Sequence, residues 1–266
     1  MKHIPMLGAG TFRLEGQTAF DSVMMALKAG YRHIDTAQIY GNEQSVGDAM
    51  LASGIARDEI FLTTKVWMNK LSKAEFRSSV EESLNKLQTS YIDLLLIHWP
   101  LKDEKVSMLE YLTELKAVKE AGLVKHIGVS NFNNQQLEQA IGILGAGEIF
   151  TNQVEVHPYL QNKKVVEFCK RNDVLVTGYM PFAYGAVLKD EIILQLANKH
   201  GVTAAQIVLA WMRQNEFVTI PSSTRQANIE SNLEEKNVHL SHDDMALIAT
   251  LDPVSYTHLT LPTRCL

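Results

Sequence analysis

Short runs of apolar, β-branched residues alternate along this chain with longer segments whose apolar residues recur every three or four positions. The runs at 31–34, 60–64, 92–97, 126–129, 149–154, 174–178 and 217–220 have the length and composition of buried strands. Between them the spacing predicts helices. In 72–87, for example, Phe76, Val80, Leu84 and Leu87 fall on one helical face. The pairs Ser72–Glu75, Ser107–Glu110, Thr203–Gln206 and Ser241–Asp244 have the separation of capping boxes, and Gly30 and Gly122 stand where helices should stop. A weaker eighth strand is expected from Asn237 to Leu240. The segment 4–14, with Gly8 and Gly10, predicts a short N-terminal β-hairpin.

Repeated strand–helix alternation implies parallel strands joined by crossovers. An open doubly wound sheet and a (β/α)8 TIM barrel both satisfy it. The 266 residues favour the barrel, which takes about 250. No low-complexity linker divides the chain, so residues 1–252 are expected to form one barrel domain of the α/β class.

The predicted strands end on chemically able residues. The first ends at Asp35, the second at Lys65 and the third at His98. The fourth ends at Ser130 and Asn131, the fifth reaches Gln153, the sixth ends at Tyr179, and the seventh runs into Ser222 and Ser223. In parallel α/β folds such carboxyl ends open on one face, where ligands bind. Loops are polar in any protein, but that does not account for Asp, Lys and His in place of Gly, Asn and Pro.

Asp35, Lys65, His98 and the nearby Tyr40 form a coherent set. A phenol titrates near ~10 and is a poor acid at neutral pH, but an adjacent ammonium lowers that value. Lys65 can supply the charge, Asp35 can hold Lys65 in place, and His98 can donate a hydrogen bond to a substrate oxygen. Such a group would protonate a carbonyl oxygen as it gains charge. It cannot supply a hydride, so reduction requires a cofactor. Alone, Asp35 and Lys65 would read as a structural ion pair and His98 as a core histidine. Their spacing to Tyr40 favours catalysis.

Composition narrows the function classes. The net charge of -5 leaves no basic footprint for nucleic acid and no polybasic arm for a membrane. No apolar run is long enough to span a bilayer, and no apolar stretch of signal-peptide type follows the N-terminus. Cys169 and Cys265 are too few for a disulfide frame or a zinc site, which points to a reducing cytoplasm. His98 and His157 have no carboxylate at ligand spacing, so no metal site is expected, and His157 is expected to be structural. Gly8-Ala9-Gly10 lacks the third glycine and preceding strand of a dinucleotide fingerprint and reads as a turn. Glu234-Glu235-Lys236 reads as a solvated face.

Six segments, GAGTF (8–12), IDTAQIYGNE (34–43), TTKVW (63–67), LLIHWP (95–100), GVSNF (128–132) and NQVEVHPYLQ (152–161), resemble the aldo-keto reductase family in sequence and order. The resemblance runs from about Ile4 to Asp252, and the look is that of the family's bacterial 2,5-diketo-D-gluconate (methylglyoxal) reductase branch. It implies a (β/α)8 barrel binding NADPH (as NADP+ after turnover). Tyr40 would be the general acid, helped by Asp35, Lys65 and His98. Ser130, Asn131 and Gln153 would hydrogen-bond the nicotinamide carboxamide, and Tyr179 would stack on its ring. Gly10, Thr11, Asp35, Pro181 and Asn232 complete the implied cofactor contacts. Trp67 and Trp99, with His98 and Tyr40, would face the substrate. Methylglyoxal, 2,5-diketo-D-gluconate and β-keto esters are candidate substrates, and a monomer is expected.

Two places depart from the family pattern. Many members hold the 2'-phosphate with a lysine and an arginine six residues later. Here Ser222 and Asn228 occupy those positions; Ser222, Ser223, Thr224 and Arg225 are expected to supply the donors, with fewer charges than usual, and Asn228 stays among the expected cofactor contacts. After Asp252, PVSYTHLTLPTRCL (253–266) resembles no family tail and is expected to be non-native or atypical. Two other functions fit parts of the pattern: a Schiff-base aldolase using Lys65, and a non-catalytic NADPH-binding barrel.

Overall fold

The computed structural model describes residues 3–101 and 105–252. The atypical tail expected at 253–266, including Cys265, lies outside them. Eight parallel strands stand side by side in sequence order: β1 (Ala9–Gly10), β2 (His33–Asp35), β3 (Phe61–Val66), β4 (Ile92–Ile97), β5 (Val124–Ser130), β6 (Ile149–Glu155), β7 (Leu175–Tyr179) and β8 (Val218–Thr219). The ring closes where Leu7 bridges Thr219 in parallel: the amide of Gly8 donates to Thr219 O, and that of Thr219 to Met6 O, each at 2.8 Å. This is the (β/α)8 barrel that the alternation implied.

Among the described residues ten α-helices surround it. They are α1 (Gly16–Ala29), α2 (Glu43–Ala52), α3 (Phe76–Lys86), α4 (Met108–Glu120), α5 (Asn134–Leu144), α6 (Lys163–Arg171), α7 (Glu191–His200), α8 (Ala204–Gln214), α9 (Gln226–Leu233) and α10 (His242–Ala249). None is long and apolar enough to cross a membrane.

Two strand expectations are corrected. No hairpin forms in 4–14; the segment supplies β1, paired in parallel with β2. Its glycines serve close packing rather than a turn. A Cβ at Gly10 would lie 2.5 Å from the carbonyl oxygen of Ile220, so only glycine lets β1 approach the end of β8 so closely. Nor do residues 237–240 form the eighth strand. A 3-10 turn (Glu234–Asn237) precedes a stretch whose alternation buries Val238 and Leu240. Its carbonyls are satisfied by side chains of α8, Arg213 to Val238 O at 2.6 Å and Gln214 to Leu240 O at 2.9 Å. A period of two reports one buried face; it does not say whether a sheet or a helix covers it.

The helix-start signals divide similarly. Thr203–Gln206 and Ser241–Asp244 form complete capping boxes. Ser107 accepts from the Glu110 amide, but the Glu110 carboxylate turns to the backbone of Lys73. Ser72 caps nothing: α3 starts at Phe76, and Glu75 pairs with Lys70 at 2.9 Å. Asn133–Gln136 forms a further complete box, with asparagine in place of serine or threonine. Glu235, expected in solvent, is 6% exposed and bound by Arg213 at 2.7 Å.

Strand alternation decides what faces the barrel interior. Along β3, Leu62 and Val66 pack outward against the helices, while Phe61 joins the apolar plug inside the barrel. On β4, Leu95 and Ile97 point outward, and Leu94 and Leu96 join Ile4, Phe150 and Val218 in the plug. The same period of two carries Lys65 and, one residue past β4, His98 inward at the carboxyl end. An apolar floor therefore lies beneath a polar mouth.

Candidate active site

Lys65 is the most constrained group at this mouth. Its side chain is wholly buried, yet Nζ has two close acceptors, Asp35 Oδ1 at 2.6 Å and Thr36 O at 2.7 Å. The other carboxylate oxygen of Asp35 accepts from Gln153 Nε2 at 2.8 Å. Register explains the pairing. Asp35 sits opposite Thr63 and Lys65 opposite Leu96, so the lysine stands one inward position above the carboxylate and reaches back to it. Burial pulls the Lys65 ammonium below its ordinary value, and Asp35 opposes that pull.

Tyr40 ends a 3-10 turn (Gln38–Tyr40) that follows β2, and Gly41 closes the turn in the left-handed region. Lys65 Nζ lies 5.1 Å from the centre of the Tyr40 ring. The same ring meets His98 edge-on at 5.7 Å and Phe12 at 5.2 Å. Trp67 closes on His98 from the other side at 5.1 Å, and Trp99 follows His98, half-buried. His98 itself is held well below the usual imidazole range, first by burial and then by the charge of Lys65, and is therefore neutral. Its Nδ1 is buried without a protein partner, which leaves Nε2 as the nitrogen a ligand can meet. The strand ends thus bring Asp35, Tyr40, Lys65 and His98 into one cluster.

The next sector is a hydrogen-bonded chain. Ser130 Oγ donates to Gln153 O at 2.8 Å, and Asn131 Nδ2 donates to His98 O at 3.0 Å. The Tyr179 hydroxyl donates to Asn131 Oδ1 at 2.8 Å, which fixes the edge of a half-buried ring. Asn131 adopts φ 64°, a left-handed conformation that asparagine tolerates better than most side chains. Thr11 is buried beside Gly10, with its hydroxyl and amide both donating to Asp35 O at 3.0 Å. Pro181 is buried at the start of the loop after β7.

Beyond β8, Ser222, Thr224 and Arg225 are exposed at the start of α9, and Asn228 is exposed on its first turn. Ser223 is half-buried, and its hydroxyl accepts from the amide of Arg225 at 3.1 Å. Asn232 is buried in the last turn of α9 and lines a small cavity with Gly10, Tyr31, Pro221 and Ser223. His157 pairs with Glu155 at 3.1 Å at the end of β6.

Several participants escaped the reading of the sequence. Thr36 lends a backbone oxygen, which leaves no mark in a sequence. Gln38 accepts from the Trp67 amide at 3.0 Å. Glu43 is 3% exposed and accepts from Thr64 Oγ1 at 2.7 Å, directly behind Lys65. Burial pushes the Glu43 carboxyl above its usual range. A polar residue at an outward-facing strand position, here Thr64 beneath the first residue of α2, was the available signal.

The donor set fits a nicotinamide dinucleotide. An anchored aromatic face at Tyr179 stands beside the amides of Asn131 and Gln153. Arg225 and three hydroxyl side chains mark the far end, where a phosphate can be met.

Residues 6–253 match the model of the aldo/keto reductase family. The methylglyoxal reductase DkgB of Yersinia pestis is 51% identical over 249 residues, covering 94% of this chain and 93% of that protein. The glyoxal reductase of Bacillus subtilis is 39% identical, covering 94% and 89%. The crystal structure of an aldo/keto reductase from Brucella melitensis superposes with a TM-score of 0.90 at 40% identity, covering 94% of each chain. With its barrel, its polar mouth and this likeness over nearly the whole length, the chain belongs to the aldo/keto reductase family and is an oxidoreductase.

Proposed function

We propose that this protein reduces small aldehydes and ketones to alcohols with NADPH, with Tyr40 as the general acid. One observation carries the reading: a fully buried ammonium is pinned to Asp35 at 2.6 Å while standing 5.1 Å from the Tyr40 ring. NADPH, when bound, would supply the hydride for the carbonyl carbon. The protein's own groups handle the oxygen. Lys65 stabilises the phenolate that proton donation leaves behind. Asp35, held by Gln153, keeps that ammonium oriented. Neutral His98 offers Nε2–H to the same oxygen, with the half-buried rings of Tyr40 and Trp67 packed edge-on against it. Ser130, Asn131 and Gln153 would hold the carboxamide, and Tyr179 the ring face.

Methylglyoxal is the first substrate to test, because relatives at about half identity are named for it. The aldolase alternative needs a neutral amine that a substrate carbonyl can reach. Lys65 is 0% exposed and hydrogen-bonded to two acceptors, which disfavours attack on a carbonyl carbon.

Two tests arise from this reading. Arg225→Ala should raise the Kd for NADPH about tenfold and leave NADH within twofold, the loss of one charge-assisted contact. Titration by protein fluorescence checks it, and equal losses for both cofactors would remove 2'-phosphate recognition from Arg225. The second test is the pH profile of kcat. An ordinary histidine would produce an acid limb near pH ~6.5. With its pKa depressed, His98 keeps its neutral form as pH falls through that range, so its limb is displaced to lower pH. A limb at the ordinary imidazole value that disappears in His98→Gln would contradict a neutral His98 at work.

A further inference from the structure

We infer that Gln38 is a positioning residue that fixes the distance between the Tyr40 turn and the strand bearing Lys65, which Trp67 directly follows. The inference rests on Tyr40 being the proton donor. Gln38 opens the short turn that Tyr40 ends, and the residue between them, Ile39, is 48% exposed and gives the turn no buried anchor. The turn's own backbone bonds, Tyr40 N to Ala37 O at 3.0 Å and Gly41 N to Gln38 O at 3.2 Å, stay within it. The Gln38 amide reaches out in two directions. Oε1 accepts from the Trp67 amide at 3.0 Å, just past β3. Nε2 lies within hydrogen-bonding distance of three oxygens on α3: Ser79 O at 3.1 Å, Ser79 Oγ at 3.2 Å and Ser83 Oγ at 3.1 Å.

The connection continues. Ser83 Oγ donates to Glu43 Oε2 at 3.3 Å, and Thr64 Oγ1 donates to Glu43 Oε1 at 2.7 Å. Thr64 immediately precedes Lys65. A path of side-chain hydrogen bonds therefore runs from the turn with the phenol, through α3 and α2, to the strand with the ammonium. Ser79 and Ser83 are 5% and 1% exposed and Glu43 is 3% exposed, so water competes little for these bonds. Glutamine suits the position because one side chain must both accept and donate, in opposite directions. A displacement of about 1 Å at a reacting group can cost up to about a hundredfold in rate, so a tether of this kind acts on kcat.

The test compares the full-length chain with Gln38→Met, which keeps length and removes both kinds of hydrogen bond. The expected result is a kcat lower by about tenfold, with NADPH affinity within twofold and a larger solvent deuterium isotope effect on kcat, because a misplaced donor makes proton transfer more rate-limiting. Gln38→Glu keeps an acceptor for the Trp67 amide but loses the donor to Ser79 O, so its kcat should fall between those of Gln38→Met and the parent. If Gln38→Met does not fold, Gln38→Asn serves instead, being one methylene too short to span both partners. A kcat within twofold of the parent together with a lower melting midpoint would make Gln38 structural only and overturn the inference. Tyr40→Phe, assayed in parallel, separates the two readings. If it is inactive while the Gln38 variants keep full kcat, only the tether fails. If it is fully active, the proton-donor reading fails and the tether with it.

Discussion

Tyr40→Phe is expected to lower kcat by about 10²–10⁴-fold, the usual worth of a positioned general acid, while leaving NADPH affinity within about twofold. The ring stays, and with it the contacts to Phe12 at 5.2 Å and His98 at 5.7 Å; only the proton donor goes. Tyr40 is half-buried at the mouth rather than in the core, so the thermal midpoint should barely move. Single-turnover oxidation of bound NADPH, followed at the nicotinamide absorbance with methylglyoxal, isolates the chemical step. Unchanged single-turnover rates would take Tyr40 out of the mechanism. An equal rise in the cofactor Kd would instead assign it to binding.

The second large effect concerns the ion pair. Lys65→Met leaves the Asp35 carboxylate buried, with Gln153 and no cation. Removing one partner of a buried pair costs about 3–5 kcal/mol, far more than an exposed pair is worth. Here the two side chains are 0% and 2% exposed, so solvent screening offers no relief. Turnover should fall with stability, which makes the single variant ambiguous. The double variant Asp35→Asn/Lys65→Met resolves it. Removing both charges should restore much of the denaturation midpoint while turnover remains lost, because the cation beside the phenol is still missing. If the double variant stays as unstable as the single, the pair is not held by its charges. If it regains turnover, Lys65 has no catalytic part.

The barrel and most of its mouth were legible in the sequence. Each strand is a short local pattern, and parallel strands that alternate with helices have few ways to be arranged. The polar residue ending each apolar run was equally legible, because alternation sends it inward at a face that the topology makes common to all strands. Asp35, Lys65, His98, Asn131, Gln153 and Tyr179 were found this way. The first strand was not. Ala9 and Gly10 carry almost no strand signal, and the reason for Gly10 is the nearness of Ile220, which lies more than two hundred residues away in the chain. The stretch 237–240 erred in the opposite direction, since a buried face looks the same from the sequence whether a sheet or α8 covers it.

By itself, then, the sequence determined the fold class, the family and which chemical groups gather at the mouth, because those follow from local periodicity and from the order of short motifs. Only the tertiary structure decided how the groups hold one another. Gln153 lies 118 residues from the Asp35 carboxylate it steadies. Thr36 contributes a backbone oxygen, which every residue has. Gln38, Glu43, Thr64 and Ser83 are ordinary polar residues until register and helix packing bring them together. Charge and hydrogen bonding depend on distances of about 3 Å, and such distances between remote parts of a chain are set by closure of the barrel.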